Sequence, residues 1–198
     1  MTQAAGKRLT REARRQAVLD TACRVFTRSS YRGATTAEIA REAGISEPIL
    51  YRHFGSKRDL YLACLEQAWA DLRAVAEEAR AQDPGGCLGT VVSAYMAARS
   101  RVRLIDLWIQ GLSEASEDQA IAKALRRQIR TVHAYFADLI REAQERGDVR
   151  ADRDAAAEAW IFVASGLLAT VDHRLGGLLG DDLERVRAER RRWLHGSS

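Results

Sequence analysis

Between residues 35 and 57 the sequence TTAEIAREAGISEPILYRHFGSK gathers side chains whose common chemistry is binding a polyanion. Lys57 can bind phosphate by its charge, and Thr35 and Thr36 offer hydroxyl and N–H groups for the same purpose. Arg52 can reach either a guanine or a phosphate. Glu47 can accept from a cytosine amino group, and Pro48 and Ile49 beside it can meet thymine methyls. Covalent chemistry has no comparable cluster. The chain lacks a Gly-rich phosphate loop, a His-Glu-x-x-His and a Cys-x-x-Cys, and its four histidines, at 53, 133, 173 and 195, are scattered. No enzyme activity, no metal and no cofactor are expected.

These groups share one face only if short helices hold them. Thr35 followed three residues later by Glu38 is a capping-box pattern, and Ile39, Ala40 and Ala43 give the helix an apolar side. Gly44 supplies the left-handed residue on which that helix stops. Ser46 can cap a second helix with Pro48 in its first turn, where a missing N–H is harmless. Leu50 and Phe54 then face inward. Two short helices joined by a tight Gly turn form a helix-turn-helix, whose second helix fits the major groove of B-DNA. An earlier helix, from a Thr10 cap to about Thr27, carries Ala17, Val18, Ala22, Val25 and Phe26 to pack against both. Tyr31 reads as a core plug in the connection.

The run Phe26, Tyr31, Gly33, Thr35, Ile39-Ala40, Ala43-Gly44-Ile45-Ser46, Leu50-Tyr51, His53-Phe54, Ser56-Lys57 and Leu60 resembles the DNA-binding head of the tetracycline-repressor (TetR) family. The match is sharp over roughly residues 10–65 and rests afterwards on helix count and pattern. The resemblance implies that Tyr51 and His53 contact phosphate. Ala37 departs from the founding repressor, which carries a base-reading Arg in this slot, so the preferred DNA sequence should differ.

Charge is unevenly placed. Residues 1–60 hold 12 Lys and Arg against 6 Asp and Glu, a net of +6, whereas the remainder is at −2. A basic head on a slightly acidic body implies that one end meets the polyanion. The apolar fraction of 46% can build a core, and only Pro48 and Pro84 interrupt a composition that favours helix throughout. No run approaches the ~18 uninterrupted apolar residues of a membrane span, and the N-terminus lacks the apolar stretch of a signal peptide. Cys23, Cys64 and Cys87 read as free thiols, so a cytoplasmic location is expected.

The expected fold is all-α with about nine helices: a helix-turn-helix head over residues 1–55 and a ligand-binding and dimerisation domain over 56–198. A long helix from Ser56 to about Gln82 joins them, and Asp83-Pro84-Gly85-Gly86 ends it. Further helices are expected at about 87–99, 104–115 and 118–146, from Asp152 or Asp154 to about 175, and at about 181–194. Pockets in helical bundles are mostly apolar with a few polar handles. Trp69, Met96, Trp108, Leu112, Phe136 and Trp160 are therefore candidate walls, with Arg99 or His133 as a polar anchor. The segment AAAEAWIFVASGLLATV is apolar nearly all round and needs burial on more than one side. Ala159, Gly166, Leu167, Thr170 and, from the last helix, Arg187 are candidates for a homodimer interface. The expected protein is a homodimeric repressor that binds a palindromic double-stranded DNA operator and is released by a small apolar or aromatic effector, without a membrane role. A ligand-independent regulator or activator of the same fold is the alternative.

Overall fold

The computed structural model describes residues 10–83, 88–98 and 103–195. Among these residues there are nine helices and no strand: α1 (Arg11–Gly33), α2 (Thr36–Glu42), α3 (Glu47–His53), α4 (Lys57–Gln82), α5 (Leu88–Ala97), α6 (Leu104–Leu112), α7 (Gln119–Glu145), α8 (Ala155–Arg174) and α9 (Asp182–His195). Met96 lies in α5, although its side chain is not among those described. Pro84, Cys87 and Arg99 lie outside the described residues.

Local sequence accounts for most helix ends. Thr10 accepts from the Ala13 N–H at 3.1 Å, and Thr35 accepts from the Glu38 N–H at 3.0 Å. The reciprocal half of the expected capping box is diverted: the Glu38 carboxylate takes Arg28 at 2.7 Å, and Glu42 takes the same guanidinium at 2.7 Å. Gly44 sits at φ 67°, and the Ile45 N–H reaches back to the Ala40 carbonyl at 3.0 Å. That is the six-to-one bond of a helix closed by a left-handed residue. Ser46 has the extended backbone of a cap but makes no side-chain capping bond. At the start of α4, Ser56 Oγ accepts from the Asp59 N–H at 3.0 Å and donates to the Asp59 carboxylate at 2.8 Å.

The first helix departs from expectation. It continues past Thr27 to Gly33 through a break at Ser30, which has φ 69° and ψ 166°. Ser30 Oγ accepts from the Gly33 N–H at 3.1 Å, so the residue caps one extra turn. A non-glycine residue at positive φ is strained. The extra turn brings the Tyr31 ring within 5.0 Å of Tyr61 and 5.9 Å of Phe26.

The described residues pack as two units, Met1–Gln67 with Leu107–Ala122, and Ala68–Asp106 with Lys123–Ser198. In the first unit Val18, Ala22, Val25, Phe26, Ile39, Leu50, Phe54, Leu60 and Tyr61 are buried together with Leu107, Trp108 and Ile121. In the second, Trp69, Tyr135, Phe136 and Phe162 form a chain of ring contacts at 5.5, 5.8 and 5.6 Å. Glu158 of α8 is buried there and ion-pairs with Arg190 of α9, while Trp193 donates to the same carboxylate at 3.3 Å. By length and composition α8 could cross a membrane, a measure that core helices of soluble proteins also meet.

A Cβ added at Gly44 would meet nothing within 4 Å, so a substitution there is felt through backbone strain alone. Gly44→Ala is expected to lower stability by about 1 kcal/mol, read as an earlier urea midpoint with an unchanged slope. An unchanged midpoint would contradict the left-handed turn.

Candidate nucleic-acid interface

The expected DNA-contacting residues fall on α2, α3 and the start of α4. Thr35, Pro48, Tyr51 and Arg52 are exposed, and Ile49, His53 and Lys57 are half-buried. On α3, a seven-residue helix, rotation of 100° per residue turns Leu50 into the core and leaves Tyr51 and Arg52 outside. Tyr51 keeps 44% of its surface exposed. That is a large aromatic with a phenol at its tip on a polar face, suited to a phosphate or a sugar edge.

Two of the nine residues stand differently from their expected roles. Thr36 is only 9% exposed. Its hydroxyl donates to the Glu47 carboxylate and lies 3.0 Å from the Tyr51 hydroxyl. It therefore joins α2 to α3 from within instead of offering itself to a phosphate. Lys57 is folded back over the head: its Nζ sits 4.7 Å from the centre of the Tyr31 ring and donates to the Arg32 carbonyl at 3.4 Å. Burial lowers the ammonium below the usual lysine range, against a smaller opposing pull from Glu114. A rotamer change would be needed to bring Lys57 to a DNA backbone.

A further set of residues belongs to this unit without having been expected there. Arg32, in the extra turn of α1, donates its Nε–H to both carboxylate oxygens of Glu114, at 2.9 and 3.1 Å, and its Nη2 to Glu117. The Glu114 hydrogen bond is the main cause that raises the Arg32 guanidinium further above its ordinary value. Arg58 reaches Asp118 at 3.4 Å, and the buried Tyr61 hydroxyl donates to the Leu107 carbonyl. The acidic corner between α6 and α7 is thus clamped to the ends of α1 and α4 by charge and by a buried phenol. The sequence carried a signal for it: Glu114, Glu117 and Asp118 crowd a short polar break in an otherwise apolar stretch, opposite a basic head.

The candidate ligand residues do not gather in one unit. Trp108, fully buried, and the exposed Leu112 belong to the first; Trp69, His133, Phe136 and Trp160 belong to the second. Within the second unit His133 stacks on Trp160 at 4.2 Å, and its Nε2 lies 2.8 Å from the Ala156 carbonyl. Among the described residues no group of three or more His, Cys, Asp or Glu side chains is placed to hold a metal ion.

The candidate interface residues on α8 occupy the side turned into their own unit. Ala159 and Thr170 are 0% and 3% exposed, and a Cβ on Gly166 would lie 2.5 Å from Ile105 Cδ1. Leu167 and Arg187 are half-buried. By helical rotation Trp160, Ile161, Leu168, Val171 and Leu175 lie on the opposite side. All five are exposed, Leu175 at 64%, and so are Leu178, Val186 and Trp193 beyond them. The helix is apolar on both sides: Ala159, Gly166 and Thr170 face its own unit, and the exposed side carries the five larger residues.

Residues 18–64 match the family model of bacterial regulatory proteins of the tetR family. Over 62 residues the chain is 48% identical to the HTH-type transcriptional activator FasR of Mycolicibacterium smegmatis, covering 31% of this chain and 28% of that protein. Over 115 residues it is 30% identical to the HTH-type transcriptional regulator BetI of Agrobacterium fabrum, covering 57% and 56%. The matched regions therefore span from about a quarter to just over half of these relatives. The crystal structure of regulatory protein TetR from Rhodobacter sphaeroides superposes with a TM-score of 0.76 at 23% identity, over 90% of this chain and 97% of that one. A TetR-family regulator from Cytophaga hutchinsonii gives 0.77 at 14% identity over 97% and 100%. Nine helices among the described residues, a helix-turn-helix closed on Gly44 and a family match centred on it lead to one conclusion: residues 18–64 are a DNA-binding head of the tetR family of bacterial regulatory proteins, carried on a chain with the all-α fold of TetR-family structures.

Proposed function

We propose that the protein is a homodimeric repressor acting in the cytoplasm: residues 1–55 bind a palindromic operator, and residues 56–198 bind an apolar or aromatic effector that releases it. The observation that carries the reading is the exposed pair Tyr51 and Arg52 on the second helix of a basic helix-turn-helix. Phosphate contacts from Thr35, Tyr51, His53 and Lys57 would fix the head on the duplex, and Glu47, Pro48, Ile49 and Arg52 would meet base edges.

The apolar side of α8 and α9 supports pairing with a second copy. Burying an exposed Trp, Leu or Val side chain contributes roughly 1.5–3 kcal/mol, and several such residues share this face. Two-fold pairing would set two recognition helices about 34–36 Å apart, one turn of DNA.

Release requires an effector that prefers the state whose heads are mis-spaced. Carrying the population from 1:99 to 99:1 takes a preference of about 10⁴-fold, roughly 5.5 kcal/mol. The ring chain from Trp69 through Tyr135 and Phe136 to Phe162 is the proposed wall of the effector site. Besides α4, the helices α6 and α7 run from one unit into the other. Their corner is tied to the head by the Arg32 ion pairs. A ligand-independent activator is the second reading, because FasR, whose head is 48% identical to this one over 62 residues, is an activator. An aromatic compound that raises the melting temperature and weakens DNA binding supports release by an effector; none doing both across a broad panel favours the second reading.

Lys57→Ala is expected to weaken binding to all duplexes about alike and to flatten the plot of log K against log salt by roughly one. An unchanged slope would remove Lys57 from the docking face. Leu168→Glu combined with Val171→Glu is expected to leave a folded monomer in sedimentation equilibrium; an unshifted dimer would move the interface elsewhere.

A further inference from the structure

Thr36, Glu47 and Tyr51 form a cluster whose protons can be counted. A carboxylate only accepts, so the Thr36 hydroxyl must donate to Glu47. That hydroxyl has one proton. The Tyr51 hydroxyl, 3.0 Å away, must therefore donate its own proton to Thr36 Oγ1. Two protons serve two bonds, and neither hydroxyl has one left to offer.

A phosphate oxygen also only accepts. For Tyr51 to hold a phosphate it must turn its proton away from Thr36. Two oxygens at 3.0 Å with no proton between them repel, so the Thr36 hydroxyl rotates to donate to Tyr51. Glu47 then loses the bond that held it. Its carboxylate needs a new donor, and a cytosine amino group in the groove is one. We propose that Thr36 is a positioning residue that sets specificity: its single proton ties phosphate capture by Tyr51 to base reading by Glu47, so the carboxylate is freed only after the head has seated on the backbone. Off DNA the carboxylate stays occupied, and a head seated on the backbone of any duplex reads sequence. This inference rests on the docking face proposed above.

The coupling has a signature that independent contacts lack. In Tyr51→Phe nothing draws the Thr36 proton away from Glu47, so the carboxylate stays engaged. Loss of a plain phosphate contact weakens all duplexes alike. Loss of the coupled one also lowers discrimination at the base pair that Glu47 reads.

The full chain is first used to enrich binding sites from a randomised duplex library, and the pair read by Glu47 is identified as the one whose preference Glu47→Ala abolishes. Fluorescence anisotropy then compares the enriched duplex with one changed at that pair. Wild type is expected to discriminate by on the order of tenfold or more. Tyr51→Phe should bind more weakly and lose most of that ratio. Adding Thr36→Val to Tyr51→Phe should restore the ratio but not the affinity, and adding Thr36→Ser, which keeps the hydroxyl, should restore neither. Circular dichroism melts check that each variant folds. If Tyr51→Phe keeps the wild-type ratio, or if Thr36→Val fails to restore it, the coupling is wrong while the docking face stands. If wild type enriches no duplex, the docking face falls and the coupling with it.

Discussion

A helix of seven residues does not persist in water by itself, because nucleating it costs more than its few hydrogen bonds return. α3 is such a helix, and the proposed reading of DNA depends on its keeping one shape. Its persistence comes from what lies beneath it. Leu50 and Phe54 are buried with Ile39, Val25 and Phe26, Gly44 turns the chain at φ 67°, and Thr36 joins the two short helices by side-chain hydrogen bonds. The polar face is thereby presented on a rigid element. Groups held in place before binding lose less freedom on docking than groups on a loop.

The charge of the head needs the same attention to partners. A net of +6 over residues 1–60 overstates what is open to a polyanion. Arg28 is held by Glu38 and Glu42, and Arg32 by Glu114 and Glu117. Lys57 lies on the Tyr31 ring. Exposed ion pairs contribute little stability singly, but Glu114 is buried, and a buried carboxylate stripped of its guanidinium is costly. Arg32 thus serves the clamp on the α6–α7 corner, and Arg52 and Tyr51 remain the prominent outward groups on α3.

What could be read from the sequence was mostly local. Thr10, Thr35 and Gly44 did what their types and spacing implied, since capping and left-handed turns involve residues within about five positions. The all-α fold followed from periodicity and composition. Where the outcome turned on partners distant in sequence, the pattern was silent. Glu38 had two available bonds, and Arg28 in the preceding helix decided between them. The corner at Leu107–Ala122 packs with the head because Arg32, Arg58 and Tyr61 reach it, contacts separated by 46 to 85 positions. An α8 apolar on all sides could not declare which side was internal. The small residues Ala159, Gly166 and Thr170 fit a close approach within the chain as well as one between chains.

Everything proposed for the function requires α3 to lie in a major groove, in two copies related by a two-fold axis. Hydroxyl-radical footprinting of the full chain on the duplex it enriches tests this most directly. The account predicts two protected patches on one face of the DNA, their centres about 10–10.5 base pairs apart, or a multiple of that spacing. A single unrepeated patch, or uniform protection without a face, would contradict it.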